Sequence, residues 1–486
     1  MYTAPTVLPG ELPVRNPRSG EIDTTVRVFD AHEVRSVADA LRMAQPAWAA
    51  TAPAERLRVL AALAEALAAE GPAIVAALEA DTGRRSESLI ELQGVIGILL
   101  RWIGDAPALL AEVPPRRSRV PHIVIEQHQR PYGVAGIISP WNFPLLLSLI
   151  DAIPALAAGC SVLIKPSEAT PRFVPALQRA VERVPGLPAL LQFVTGGAAT
   201  GEALVRSVDV LCFTGSVRTG ERVAQLAAQC FVPAHLELGG KDAAIVCADA
   251  DLARAARSLT WGSMGSAGQS CMSIERCYVD RRVHDAFVGM LCEEVGALRH
   301  AWPDMANGPI GPILAAVQVP VVERQLADAL ARGARARVGG AVVHLGGGAW
   351  CEPTVLVDVT HEMEVMREET FAAILPVMAF EDEDEAVRLA NDSDYGLSGA
   401  VFSADTDRAR RIAGRLQAGA ISINDAALTA MVYDASKQSF KRSGLGGSRM
   451  GTASLQRFYR QQAFLINDGT PSPWWFAPAM RAGHAR

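Results

Sequence analysis

Two side chains with the chemistry to act on a carbonyl group lie within one stretch of this 486-residue chain. Leu236-Glu237-Leu238-Gly239-Gly240-Lys241 opens the stretch and Gly268-Gln269-Ser270-Cys271-Met272-Ser273 closes it. A cysteine attacks carbonyl carbon well because sulfur is soft and its thiolate is accessible near neutral pH. A glutamate can activate the water that hydrolyses the resulting thioester, provided burial raises its pKa toward neutrality. Cys271 and Glu237 are therefore a candidate nucleophile and base if the fold joins them. Alone, neither decides anything. A single cysteine among eight is usually a small buried hydrophobe, and a glutamate before two glycines is usually a solvated loop residue.

The elements that must position them read as two successive runs of strand, loop and helix. An apolar strand at 133–138 ends at Ser139-Pro140-Trp141-Asn142-Phe143-Pro144, and a helix is predicted over 145–158. A second strand, 161–164, ends at Lys165-Pro166-Ser167-Glu168; a third, 191–194, leads to Gly196-Gly197. A fourth, 208–213, ends at Thr214-Gly215-Ser216, before a helix through Gly220. This alternation predicts a doubly wound parallel sheet, in which ligands bind where strand C-termini and helix N-termini converge. Gly215 to Gly220 can bring backbone close to a pyrophosphate, although the GxGxxG fingerprint is absent. Lys165 and Glu168 suit the hydroxyls of a ribose. A second run occupies 240–440, with strands predicted at 243–247, 276–279, 354–358, 373–380, 398–402 and 420–424.

Around these runs lie supporting segments. Residues 1–30 read as an extended arm with turns at Asn16-Pro17 and Ser19-Gly20, and 31–110 as three Ala/Leu-rich amphipathic helices. A Pro-bounded hairpin is predicted at 113–131, and the strand-like 458–466 is a candidate to return to it. The tail Pro471-Ser472-Pro473-Trp474-Trp475-Phe476 carries no readable role.

Bulk properties exclude several classes. The length demands at least two hydrophobic cores, and 50% hydrophobic with 20% charged residues describes a well-buried globular enzyme. A net charge of −6 argues against nucleic acid or an anionic membrane as partner. The apolar region 132–164 is interrupted by Pro140, Asn142, Pro144, Asp151 and Pro154, so it is not read as a membrane span. No secretory signal is evident. The eight cysteines have no metal-ligand spacing and several sit in apolar runs, which predicts reduced thiols, a cytoplasmic location and no metal. Arginine greatly outnumbers lysine: the lysines are Lys165, Lys241, Lys437 and Lys441.

In order along the chain, Pro140-Trp141-Asn142-Phe143-Pro144, Lys165-Pro166-Ser167-Glu168, Phe213-Thr214-Gly215-Ser216, Glu237-Leu238-Gly239-Gly240-Lys241, Gly268-Gln269-Ser270-Cys271, Glu368-Glu369-Thr370-Phe371 and Ser443-Gly444-Leu445-Gly446 resemble the NAD(P)-dependent aldehyde dehydrogenase superfamily. The resemblance covers nearly the whole chain. It implies an α/β fold with a Rossmann-type coenzyme domain (1–112 and 132–239), an α/β catalytic domain (240–440), a small β oligomerisation element (113–131 and 455–468) and a C-terminal tail (469–486). It implies that Cys271 attacks an aldehyde, that Asn142 and the Cys271 backbone N–H donate to the oxyanion, and that Glu237 activates water against the thioester. Coenzyme contacts would come from Ser139, Pro140, Trp141, Lys165, Ser167, Glu168, Gly197, Gly201, Phe213, Thr214, Gly215, Ser216, Gly220, Leu238, Gly239, Glu369 and Phe371. Among these, Lys165 and Glu168 would hold the adenine ribose, Ser216 a phosphate and Glu369 the nicotinamide ribose. A glutamate at 168 repels a 2′-phosphate and favours NAD, with NADP left open. Phe143, Leu147, Ile150, Ser270 and Met272 would line the substrate pocket and suit an apolar aliphatic or aromatic aldehyde. The family's habit predicts a homodimer or homotetramer.

Two departures are visible. Phe371-Ala372-Ala373 stands where the family has Phe-Gly-Pro, and Ser436-Lys437-Gln438-Ser439 where it has Pro-Phe-Gly-Gly. The second alters a segment that often lines the aldehyde entrance, and Lys437 there could greet an anionic tail. Competing readings are a CoA-acylating or semialdehyde-specific enzyme of the same superfamily, a cysteine hydrolase, and a non-catalytic binding or structural protein on this fold. Glu237 weighs against CoA as the acyl acceptor. No histidine follows Cys271 in a convincing base context, and the joint presence of Asn142, Glu237 and Cys271 weighs against a non-catalytic protein.

Overall fold

The computed structural model describes residues 8–111 and 113–469, so the Trp-rich stretch 471–476 lies outside the described residues. Its frame is two open sheets joined by a very short piece of chain. In the first, the order is Leu191–Phe193, Ser161–Lys165, Val134–Ile138, Val210–Thr214 and Ala234–Glu237, all parallel, with Gly444–Leu445 added antiparallel at the edge. Numbered by chain position these five run 3-2-1-4-5, so the winding reverses between Val134–Ile138 and Val210–Thr214. That reversal opens a crevice beyond their C-terminal ends.

The second sheet orders Arg335–Val338, Thr354–Val357, Ile374–Phe380, Ile274–Asp280, Asp242–Val246, Ser398–Phe402 and Ala420–Ile423, parallel except at the Arg335–Val338 edge. Its inner strands Thr354–Val357, Asp242–Val246 and Ser398–Phe402 are buried on both faces, which is why they read as largely apolar runs. Only Leu238 to Lys241 separates the last parallel strand of the first sheet from Asp242–Val246 of the second.

Helices Ala31–Ala50, Pro53–Thr82 and Arg85–Leu109 match the three predicted in the N-terminal region, and the arm before them folds into the hairpin Glu11–Arg15/Ile22–Arg27. Asp30 opens the first helix with a capping box to Glu33. Pro53–Thr82 is long and apolar enough to span a membrane by composition. Here its apolar side chains, Leu60, Leu63, Leu67, Ile74 and Leu78 among them, are buried in the first core. The third sheet pairs Ile123–Pro131 with Tyr459–Asn467 over nine residue pairs, within this one chain.

One prediction fails in an informative way. The helix expected over 145–158 is broken into Pro144–Leu149 and Ala152–Ala158, with Asp151 at the break. Asp151 is buried and accepts from Arg449 and Arg457 through its two carboxylate oxygens, at 2.5 and 2.6 Å. Burial alone would raise its pKa, but the two guanidinium groups outweigh it and hold the carboxyl well below the usual range. The ion cluster therefore pins a segment near the end of the chain onto the first sheet's helices. Removing the carboxylate would leave two arginines buried without their counter-ion. Asp151→Asn is expected to lower the unfolding free energy by about 3–5 kcal/mol, read by chemical denaturation near neutral pH. Because the native carboxyl is depressed, this contribution is complete above the unfolded value near pH 4 and fades as pH falls below it. The gap between wild type and variant should therefore narrow in acid.

Candidate active site

Residues of both sheets meet along one cleft, but from opposite strand ends. The first sheet contributes its C-terminal edge: Ser139 to Phe143, Lys165 to Glu168, and Thr214 to Ser216. The second contributes its N-terminal edge. Gly239 to Lys241 precede Asp242–Val246, Cys271 precedes Ile274–Asp280, and Glu369 to Phe371 precede Ile374–Phe380.

A single carboxylate gathers the three loops of the second edge. Glu275 accepts from Lys241 Nζ at 2.8 Å and from the backbone N–H groups of Thr370 and Phe371 at 2.7 and 2.8 Å. Both charged side chains are almost fully buried. Burial pushes the Lys241 pKa down, and Glu275 opposes that shift. Lys241 also donates to Thr370 Oγ1, which in turn donates to Gln325. Sequence reasoning noted Lys241 only as an unusual lysine; Glu275 carried no local signal at all.

The thiol loop is held as tightly. Gly268 has φ +71°, and a Cβ there would lie 2.1 Å from the Ala372 carbonyl oxygen, so only glycine allows this turn. A Cβ on Gly240 would lie 2.4 Å from the Cys271 carbonyl oxygen, so the loop bearing the candidate base packs directly against the nucleophile's backbone. Burial, followed by the Glu237 charge, pushes the Cys271 thiol up to about 12. Glu237 thus faces Cys271 closely enough to disfavour its thiolate. The Glu237 carboxylate accepts from Ser439 Oγ at 2.9 Å, and its backbone carbonyl accepts from Gly215 N–H at 3.2 Å. Ser439 lies in the segment where the sequence departs from Pro-Phe-Gly-Gly, and its link to Glu237 spans 202 positions.

Asn142 is buried, and its side-chain amide donates to the Gln269 carbonyl at 3.0 Å, two residues before Cys271. That places the amide at the thiol loop with its second N–H uncommitted. Two groups from the helical region fix it there. Buried Arg84 donates to the Asn142 carbonyl and to Ser266, and lies over the Phe143 ring. Glu91 accepts from the N–H groups of Leu145 and Leu146 at 2.9 and 3.0 Å, capping the short helix that follows; burial pushes its carboxyl up to about 8. Neither Arg84 nor Glu91 was singled out from the sequence.

The remaining candidates line the crevice at the winding reversal. Lys165 is buried and pairs with Glu168 at 3.0 Å, beside Ser167, whose hydroxyl accepts from Ala169 N–H. Gly201 packs on the Lys165 side chain, in the helix Ala198–Val205 that follows Gly197. Ser216 caps the helix Val217–Gln229 by accepting from Thr219 N–H. Gly220 in that helix lies under Leu238, which packs with buried Phe213. Gly215 stands over the Phe213 ring, and Thr214 accepts from Arg449 at 2.6 Å. Ser139 shares a hydrogen bond with Ser148 at 2.7 Å, with Pro140 half-buried next to it. Across the cleft, Trp141 meets Phe371 edge to face with ring centroids 5.3 Å apart. Glu369 lies against Gly239 and accepts from Gly240 N–H at 3.1 Å; burial pushes its carboxyl up to about 8. Helix N-termini, glycine-floored turns and a carboxylate at one sheet edge fit a dinucleotide.

Of the predicted pocket residues, Phe143, Leu147, Ser270 and Met272 are half-buried; Ser270 and Met272 flank Cys271 in the chain, and Leu147 and Met272 pack against the same core. Ile150 is instead buried in the first core with Leu145, Leu149 and Ile153, because the helix break turns it inward. Lys437 enters the site from the departing segment: its Nζ donates to the Thr429 carbonyl at 2.5 Å and contacts Met272 Sδ at 3.3 Å.

The Aldehyde dehydrogenase family model matches residues 5–464. A 4,4'-diapolycopene aldehyde oxidase of Methylomonas sp. is 38% identical over 392 residues, covering 79% of this chain and 72% of that protein. The structure of PutA from Anabaena variabilis superposes with a TM-score of 0.94 at 46% identity, over 96% of this chain and 100% of the other. Betaine aldehyde dehydrogenase from Staphylococcus aureus in complex with NAD+ gives 0.90 at 29% identity, over 96% and 94%. The two-sheet fold, the ordered motif loops and a family match over nearly the whole length lead to one conclusion: the chain belongs to the aldehyde dehydrogenase family.

Proposed function

We propose that this enzyme oxidises an aldehyde to its carboxylic acid with NAD(P), through a thioester on Cys271 that Glu237-activated water hydrolyses. The observation that carries the reading is the meeting of the Cys271 thiol, the Glu237 carboxylate and the Asn142 amide in one cleft. The thiol is neutral at rest and gives up its proton to solvent as the sulfur attacks. Attack of the sulfur on the aldehyde carbon forms a C–S bond and an alkoxide, toward which the free Asn142 N–H and the Cys271 backbone N–H donate. Donors of this kind typically contribute roughly a hundred- to a thousandfold in rate. Lys165, Glu168 and Ser216 at the first sheet's edge would hold NAD(P), which would supply the hydride acceptor for that carbon. Glu237, held by Ser439, then takes a proton from the water that attacks the thioester carbon, and the thiol leaves.

Lys165 with Glu168, Ser216 and the helix behind it, and the Trp141 and Phe371 rings are the groups proposed to hold the coenzyme. Phe143, Leu147 and Met272 offer an apolar wall to the body of the aldehyde, which agrees with the apolar substrate named for the diapolycopene aldehyde oxidase. Water rather than CoA resolves the thioester, because Glu237 is present to activate it. Half-exposed Phe464, Leu465 and Ile466 on the Tyr459–Asn467 strand support burial against a second copy, as a homodimer or homotetramer. The eight free thiols suit a reducing compartment, and we place the protein in the cytoplasm.

Cys271→Ala is expected to abolish NADH formation with every aldehyde while coenzyme affinity stays within about threefold, checked by absorbance and by titration calorimetry; sustained turnover would remove Cys271 as nucleophile. Glu237→Gln should give one burst of NADH and then accumulate a thioester detectable by mass spectrometry. The same variant loses the charge that disfavours the thiolate, so iodoacetamide should alkylate Cys271 with a pH midpoint below that of wild type. NADP should bind more weakly than NAD, and Glu168→Ser should narrow the difference by about five- to tenfold. Equal affinities in the wild type would defeat the carboxylate argument.

A further inference from the structure

We propose that Lys437 is a recognition site for a carboxylate on the substrate, so that the preferred aldehyde has an apolar body and a second, anionic end. This rests on the aldehyde-oxidising reading above and specifies its substrate class. Of the four lysines, Lys165 and Lys241 are ion-paired with Glu168 and Glu275, and Lys441 lies exposed on the carbonyls of Asn391 and Ser393. Lys437 alone is brought into the cleft without a counter-ion. Among the described residues its Nζ has the Thr429 carbonyl and the Met272 sulfur as partners, and it forms no ion pair. A thioether is a weak acceptor, so at least one strong N–H donor is unspent.

Burying an ammonium without a paired carboxylate costs stability, and burial does push the Lys437 pKa down, with the more distant Glu237 carboxylate as the largest opposing influence. A charge kept in such a place is best matched by one that arrives with the substrate. The surroundings agree. Lys437 also lines a cavity of about 510 Å³ with His235, Gln438, Ser448, Gln456 and Arg457, and that lining holds no carboxylate. His235 is driven toward its neutral form, its pKa pushed by burial to about 4, and Arg457 is already neutralised by Asp151. Lys437 is therefore the uncompensated charge of that wall. Its ammonium touches Met272, the chain neighbour of Cys271, which sets the charge beside the thiol loop.

The test uses matched pairs, ω-carboxy aldehydes and uncharged n-alkanals of equal carbon number from four to eight. The full-length enzyme, Lys437→Met and Lys437→Arg are each assayed with coenzyme. A charge-assisted hydrogen bond of this type corresponds to about ten- to a hundredfold in kcat/KM. Wild type should favour the carboxylated partner by that factor at one chain length. Lys437→Met should bring the ratio of the two kcat/KM values near one, and Lys437→Arg should keep most of it. Using the ratio cancels any effect of the lysine on the thiol. Calorimetry in parallel compares the product dicarboxylate with the monocarboxylate of equal length; only the former should weaken in Lys437→Met. A ratio near one in wild type, or a ratio unchanged by Lys437→Met, overturns the proposal while leaving aldehyde oxidation standing. Absent turnover of every aldehyde, with dicarboxylate binding still dependent on Lys437, would sink the oxidation reading and uphold the anion site.

Discussion

The site depends on one buried ion pair. Lys241 ends the connection that follows Glu237, Glu275 lies in the strand that follows the thiol loop, and Glu275 also receives two backbone N–H groups from the third loop. In low dielectric an unpaired member would be costly, so each charge enforces the presence of the other. The consequence is geometric. Three loops separated by up to 129 positions are given one common reference point, and Glu369 and the Cys271 backbone both keep register with Gly240.

Around that point the architecture solves a placement problem. An open parallel sheet offers helix N-termini and amides at one edge, which suits a charged dinucleotide but not a thiol that must be kept dry. Setting the C-terminal edge of one sheet against the N-terminal edge of another gives the cleft two unlike walls. One wall is polar around the Lys165–Glu168 pair and Ser216; the other is desolvated, as the raised thiol of Cys271 records. The Leu238–Lys241 connection is too short to let the walls drift apart, so Glu237 sits at the seam and belongs to both.

Much of this was legible in the sequence. Strand-end loops rich in glycine and charge stand out against Ala/Leu-rich helices, and the two runs of alternation follow from strands buried on both faces. Cys271 and Glu237 were readable as reactive groups beside glycines and Lys165 and Glu168 as charges at a strand end, while the role of Asn142 came from the resemblance alone. What escaped were groups that act at long range on those residues: Ser439 on Glu237, Arg84 on Asn142, Glu91 on the following helix, and Glu275 on three loops. A local pattern holds no record of such pairings. The helix break at Asp151 escaped for the same reason. Its partners lie 298 and 306 positions away, and the apolar periodicity around it would otherwise have continued. Ile150, placed in the pocket by sequence, turned into the core with that break.

The region 437–457 sends Ser439 to the base, Lys437 to the thiol's neighbour, Gly444–Leu445 to the edge of the first sheet and two arginines to Asp151. Chains emerge from the ribosome N-terminus first. A nascent polypeptide can therefore lay down both sheets and every motif loop while its thiol cleft still lacks a wall. The thiol loop is thus complete in sequence well before residues 437–457 arrive to close its surroundings.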